Sequence, residues 1–202
     1  FSLALGGTQS RKKLGVALLG LGNYSANLLA PALQHTEHCE LRGIITGTES
    51  KISKWQRKYG IQDSNVYTYD TIDEVANNKD IDVIYVVTPT GTHKDFAVKA
   101  ANTGKHVWCE KPMAMNSDEC QAIIDACNKN GVTLSIGYRM QHEPNTRTFH
   151  HYLESMPYGK FKKVSSFAGY AGQGRDASNW RMQQHMGGGA LYDMGVYAIN
   201  SA

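Results

Sequence analysis

From Leu14 onward, apolar runs of strand length alternate with longer stretches of helical period, and this alternation constrains the chain more than any other feature. Residues 14–19, 40–46, 66–69, 81–87, 106–109 and 133–136 read as strands. Residues 26–35, 50–59, 72–77, 92–103 and 117–130 read as the helices between them. A helix between consecutive strands makes those strands parallel, and near-continuous apolar runs mean strands covered on both faces. The predicted fold class is therefore α/β, a doubly wound parallel sheet. Asn116 and Glu119 have the spacing of a capping box at the last of these helices, and Gly104 and Gly131 sit where helices should stop.

Six strands in this alternation suit the Rossmann form of that sheet, whose ligand lies beyond the carboxyl ends of the strands at the point where strand order reverses. After residue 136 the pattern changes to a helical segment at 145–155, a strand at 162–170, then a glycine-rich passage into another helix. The expected organisation is a dinucleotide-binding domain over 14–137 and the start of a second domain over 138–202. Residues 1–13 precede both. Their apolar, small-residue beginning and the basic trio Arg11, Lys12 and Lys13 read equally as the remnant of an export signal or as a flexible arm.

With 202 residues and 41% apolar content the chain can bury a substantial core. Its 21 basic and 18 acidic residues leave a net charge of +3, too mild and too evenly spread for a nucleic-acid surface. No run approaches the roughly 20 apolar residues of a membrane span. Cys39, Cys109, Cys120 and Cys127 form no C-x-x-C pair and fall in apolar segments, so buried thiols are expected and no metal site.

The first strand runs into Gly20-Leu21-Gly22-Asn23-Tyr24-Ser25, a G-x-G-x-x-G pattern with Ser in third place. Gly20 allows the tight turn, and Gly22 lets backbone N–H groups approach a pyrophosphate favoured by the helix N-terminus. An NAD-selective site places a carboxylate at the end of the second strand, where it bonds the ribose 2′-hydroxyl. Here that place holds Thr46, followed by Gly47-Thr48-Glu49-Ser50-Lys51. A hydroxyl and an ammonium suit a 2′-phosphate, so NADP is expected over NAD; Lys51 as a plain solvated residue is the competing reading.

Thr88, Pro89, Thr90 and His93 follow the fourth strand, and Glu110, Lys111 and Pro112 follow the fifth, where cofactor-contacting residues belong. Glu110 and Lys111 read as an acid–base or substrate-orienting pair, or as a surface salt bridge. Pro112 keeps Lys111 extended and makes a cis peptide accessible. Further on, Asp193 and Tyr197 are four residues apart, which on a helix puts a carboxylate and a phenol on one face. A core Tyr with Asp as a helix cap explains the same spacing.

The segments G-L-G-N-Y-S, T-G-T-E-S-K, G-K-H-V-W-C-E-K-P-M-A, I-G-Y-R and W-R-M-Q-Q-H-M-G-G-G-A-L-Y-D-M-G-V-Y-A-I-N, taken in order, resemble the Gfo/Idh/MocA oxidoreductase family, most closely its glucose-fructose oxidoreductase branch. The resemblance implies that Lys111, Asp193 and Tyr197 are the catalytic residues. It implies a 2′-phosphate grip by Thr46, Gly47 and Lys51, nicotinamide-side contacts from Trp180 and Arg181, and an adenosine-side contact from Tyr69. Tyr197 would act as general acid or base on a sugar hydroxyl, assisted by the positive charge of Lys111, while Asp193 positions the sugar.

By the same resemblance the second domain is α+β with an open, mainly antiparallel sheet that forms the substrate wall and the interface of a homo-oligomer, and this chain holds only its start. The expected function is an NADP-dependent oxidoreductase with a cyclic sugar as small-molecule substrate, periplasmic or otherwise exported, with a cytoplasmic location as the alternative. A polyol or dihydrodiol dehydrogenase and a non-catalytic NADP sensor are the other readings. Arg139 and His185 are further candidates for substrate contact, with solvated or structural roles equally open.

Overall fold

Six parallel strands form one sheet: β1 (Leu14–Leu19), β2 (Cys39–Ile45), β3 (Val66–Tyr67), β4 (Val83–Val86), β5 (His106–Glu110) and β6 (Leu134–Gly137). Their order across the sheet is 3-2-1-4-5-6. The chain therefore winds outward twice from the centre, and the reversal falls between β1 and β4. The computed structural model describes residues 12–169 and 176–200.

β1 explains why the strands read as continuous apolar runs. Val16 and Leu18 point to one face and pack with Ala30, Leu33, Leu41 and Trp55, whereas Ala17 and Leu19 point to the other and pack with Ala97, Ala100, Ala101 and Val107. All four β1 side chains are fully buried. Each fully buried Val or Leu contributes about 1.5–3 kcal/mol through lost apolar exposure. Changing any of them to a polar residue would put an unpaired group between sheet and helices.

The covering helices are α1 (Ala30–Leu33), entered through a π turn at Ser25–Leu29, then α2 (Ile52–Tyr59), α3 (His93–Asn102) and α4 (Ser117–Lys129). α4 starts as its spacing predicts: the Asn116 side chain accepts from the Glu119 N–H at 2.9 Å, and the Glu119 carboxylate reaches back to the Met115 N–H at 3.1 Å. Gly104 and Gly131 end α3 and α4 with φ of 76° and 65°, a conformation that costs glycine nothing. Residues 72–77 form a 3₁₀ helix where an ordinary helix was expected; six residues make too few α-type bonds to offset nucleation, and the tighter turn still buries Ile72 and Val75.

Beyond β6 come a 3₁₀ turn at Arg139–His142, α5 (Pro144–Ser155), 3₁₀ turns at Trp180–Met182 and Gln184–Met186, a π turn at Leu191–Gly195, and α6 (Val196–Asn200). The strand expected at 162–170 is not formed over 161–169, and Tyr170 lies outside the described residues. A strand exists only by pairing, and no second sheet is present among the described residues, so Phe161, Val164 and Phe167 stay exposed. The expected antiparallel sheet is accordingly not seen there. The arm-or-signal reading of residues 1–13 falls on residues of which 1–11 lie outside those described. No helix is long and apolar enough to cross a membrane among the described residues.

Candidate active site

A cleft of about 720 Å³ opens at the carboxyl ends of β1, β2, β4 and β5. The turn after β1 supplies Gly20, Gly22, Asn23 and Tyr24, and the region after β2 and β3 supplies Thr46, Thr48, Lys51 and Tyr69. Gly20 has φ of 99°, and a Cβ there would lie 2.8 Å from the Val87 carbonyl oxygen, so the β1–β4 junction closes only on glycine. A Cβ on Gly22 would meet nothing within 4 Å, so its backbone is bare toward the space a pyrophosphate needs. Ser25, in the third glycine's place, is fully buried and donates to the Gly20 carbonyl at 2.5 Å, tying helix to turn.

At the other end of the turn, the Lys51 ammonium donates to the Leu21 carbonyl at 2.9 Å. The cation is thus held between the glycine turn and the threonines that follow β2. Thr46 is buried and its hydroxyl accepts the Thr48 N–H at 3.1 Å. Gly47, expected to contact cofactor, instead underlies Tyr69: a Cβ there would come 2.8 Å from the tyrosine ring. Its smallness admits the ring that lines the cleft.

Thr88, Pro89 and Thr90 after β4 line the cleft, as do Glu110 at the end of β5 and Lys111 and Pro112 after it, with Lys111–Pro112 in the cis form. His93 is not a cleft residue. It is 1% exposed, with Nδ1 2.9 Å from the Pro112 carbonyl and Nε2 2.8 Å from the Thr88 carbonyl, so it ties the two loops together from behind. As the first residue of α3 it turns inward because the helix packs on β4 and β5. Burial pushes its imidazole below the usual histidine range.

Glu110 is nearly buried. Its carboxylate accepts the Tyr85 hydroxyl at 2.6 Å and the Lys111 N–H at 3.2 Å. Burial drives the carboxyl upward, beyond what these bonds and the nearby Lys111 and Arg139 charges offset. Burial also raises the Tyr24 hydroxyl, with the Glu110 and Tyr197 charges adding to it.

The chain beyond β6 closes the cleft. Gly91 and Gly187 permit the approach: Cβ atoms there would come 2.8 Å from the His185 carbonyl and 2.6 Å from the Thr90 Cβ. His185 itself turns its exposed side chain elsewhere and contributes backbone. Across this junction the Lys111 ammonium donates to the Asp193 carbonyl at 2.6 Å and lies 4.4 Å from the centroid of the Tyr197 ring. The Asp193 carboxylate meets Arg181 Nε at 3.3 Å from both oxygens, and Arg181 stacks 4.3 Å over Trp180. The three residues grouped from the sequence, Lys111, Asp193 and Tyr197, therefore converge, although Lys111 meets Asp193 through backbone rather than carboxylate. The π turn carrying Asp193 leads straight into α6 and Tyr197.

The geometry also holds residues that sequence reasoning missed or left open. Asn179 and Met194 line the cleft, and Tyr192 donates to the Met115 carbonyl at 2.5 Å, anchoring the π turn to the loop before α4. Arg139 was one open candidate among 21 basic residues. Its guanidinium carbon lies 5.4 Å from the Tyr197 centroid, and a hydrogen bond with the Tyr197 side chain raises it further above its ordinary range.

The profile of an oxidoreductase family with an NAD-binding Rossmann fold matches residues 14–138, the span of the sheet. The chain belongs to the Gfo/Idh/MocA oxidoreductase family. Among its relatives, a D-xylose 1-dehydrogenase (NADP(+)) from Haloferax volcanii is 29% identical over 185 residues, 92% of this chain and 55% of the relative. A scyllo-inositol 2-dehydrogenase (NADP(+)) from Bacillus subtilis is 28% identical over 164 residues, 78% of this chain and 49% of the relative. The crystal structure of aldose-aldose oxidoreductase from Caulobacter crescentus, complexed with glycerol, matches with a TM-score of 0.91 and 37% identity, covering 94% of this chain and 56% of that one. The chain spans about half the length of the curated relatives it matches.

Proposed function

We propose that residues 14–137 bind NADP and that residues 138–202 begin the substrate domain of an oxidoreductase that moves a hydride between the nicotinamide and a cyclic sugar, in the manner of glucose-fructose oxidoreductases. The observation that carries this reading is the position of the Lys111 ammonium, 2.6 Å from the Asp193 carbonyl and 4.4 Å from the Tyr197 centroid, within the cleft that the glycine turn also lines. A cofactor-binding protein without chemistry has no need of a phenol and an ammonium held there. The preference for NADP rests on Lys51, Thr46 and Thr48, and relatives named as NADP-dependent favour it too. The acids lining the cleft, Glu110 and Asp193, belong to its Lys111 side.

The chemistry a nicotinamide supplies when bound is hydride transfer. The protein's part is orientation and proton handling. Tyr197 takes the hydroxyl proton as a sugar carbon is oxidised and returns it when a carbonyl is reduced. Lys111 holds the register between the two parts of the cleft through the Asp193 carbonyl, and its charge favours negative charge on the tyrosine oxygen. Arg181 fixes the Asp193 carboxylate, and Trp180 supports Arg181 with its ring face.

The test is to offer aldoses, ketoses and cyclic polyols to the whole protein while following reduced-nicotinamide absorbance. Turnover with aldoses is expected, and Tyr197→Phe should lower it by about a hundredfold or more with cofactor affinity unchanged. Bound cofactor with no absorbance change for any sugar would favour a sensor. Turnover confined to polyols would move the assignment to a polyol or dihydrodiol dehydrogenase. Export and assembly into a homo-oligomer are part of the same proposal, checked by cell fractionation and by solution mass.

A further inference from the structure

The Tyr197 ring is bracketed by two cations that come from different strands. Lys111, after β5, stands over the ring face at 4.4 Å and uses a donor on the Asp193 carbonyl. Arg139, in the turn after β6, lies 5.4 Å from the same centroid and engages the Tyr197 side chain by hydrogen bond. The neighbouring Tyr138 completes the setting: its ring stacks on Tyr197 at 5.7 Å and 30°, and its hydroxyl donates to the Tyr197 carbonyl at 3.4 Å. One short stretch after β6 thus holds the ring by its face and addresses it with a guanidinium.

We infer that Arg139 is a positioning residue for Tyr197, donating to the phenolic oxygen, fixing where that oxygen points in the cleft, and stabilising the negative charge it carries between proton transfers. This rests on the proton-transfer role given to Tyr197 above. When a sugar CH–OH is oxidised, the carbon gives up two electrons as hydride to the nicotinamide and the hydroxyl proton passes to the Tyr197 oxygen, so that oxygen must be ionised beforehand. Lys111 over the ring face reaches the π system; a guanidinium bonded at the oxygen acts where the charge is. Arginine also keeps its charge at any working pH.

The other groups facing Tyr197 leave Arg139 this task. Glu110 and Tyr24, from β5 and the glycine turn, face the same space, and burial pushes both upward, weakening the negative charge they set against Arg139. Asp193, on the same helical stretch as Tyr197, is paired with Arg181. Lys111 adds a second positive charge on the ring's face.

Arg139→Gln keeps a donor and removes the charge, whereas Arg139→Lys keeps the charge. Ultraviolet difference titration of tyrosinate in the whole protein, with Tyr197→Phe subtracted, isolates the Tyr197 phenol without any turnover. Arg139→Gln is expected to move that midpoint upward by about one pH unit or more, and to shift the rising limb of the pH–rate profile equally. Arg139→Lys should recover most of both, with KM for cofactor unchanged throughout. An unmoved midpoint in Arg139→Gln overturns the inference, as does a variant that raises the sugar KM alone, which would make Arg139 a substrate contact. Because the titration needs no sugar, it decides the role of Arg139 even if the sugar-oxidoreductase reading fails.

Discussion

Ser25 and Lys51 each do something that their residue type alone does not announce. Ser25 stands where a glycine usually completes the fingerprint; its buried hydroxyl satisfies the Gly20 carbonyl at a turn whose φ of 99° leaves that group no strand partner. Lys51 would count as a solvated helix residue were it not drawn 2.9 Å from the Leu21 carbonyl, which sets its remaining donors beside Thr46 and Thr48. Removing the ammonium deletes a charge-assisted bond worth about 1.5–3 kcal/mol. Lys51→Ala is therefore expected to weaken NADP binding at least tenfold while leaving NAD within a factor of two. Titration of both cofactors checks this, and equal losses for the two would contradict a 2′-phosphate role.

At the scale of elements, the loops after β4 and β5 are held in step by the first residue of α3. A neutral imidazole has one N–H, yet His93 faces carbonyls at 2.8 and 2.9 Å with its two nitrogens. Protonation would satisfy both, but burial opposes it and lowers the folded-state value below the ordinary one of about 6.5. The unfolded chain then binds the proton more readily, so the contribution of His93 to stability is present above about pH 6.5 and is lost as the pH falls through that value toward the folded one. Denaturant unfolding between about pH 8 and pH 5 should show an acid-side slope of up to about 1.4 kcal/mol per pH unit that is absent in His93→Gln. An identical slope in the variant would remove His93 as its cause. Whether a residue at a helix start faces the cleft or the sheet follows from how the helix packs, which is why His93 read as a cofactor contact and proved to be a loop tie.

Across the whole molecule the apolar core is confined to the sheet and its covering helices. Every buried hydrophobic residue described lies between Val16 and Cys127, whereas α5 and α6 bury none, and Tyr158 and Phe167 are 92% and 95% exposed. Stability should be distributed likewise. Hydrogen exchange of this chain is expected to leave β1, β4 and β5 protected longest, with α5 and α6 exchanging orders of magnitude faster. Uniform protection across both parts would contradict a division near residue 137.

The doubly wound sheet was legible because burial on both faces writes unbroken apolar runs into the strands, and the glycine turn was legible because backbone demands at Gly20 act between near neighbours. Helix ends at Gly104 and Gly131, the cap at Asn116 and the cis-capable Lys111–Pro112 bond are local in the same sense. The strand expected at 162–170 does not form over 162–169 because pairing requires a second strand, which local pattern cannot supply. Only the tertiary structure brings Lys111 to Asp193 across 82 positions, sets Arg139 against Tyr197, and buries Glu110 beneath Tyr85. These contacts follow from strand order, which places the ends of β5 and β6 side by side, and from Gly91 and Gly187, whose missing side chains let the last segment close over the cleft.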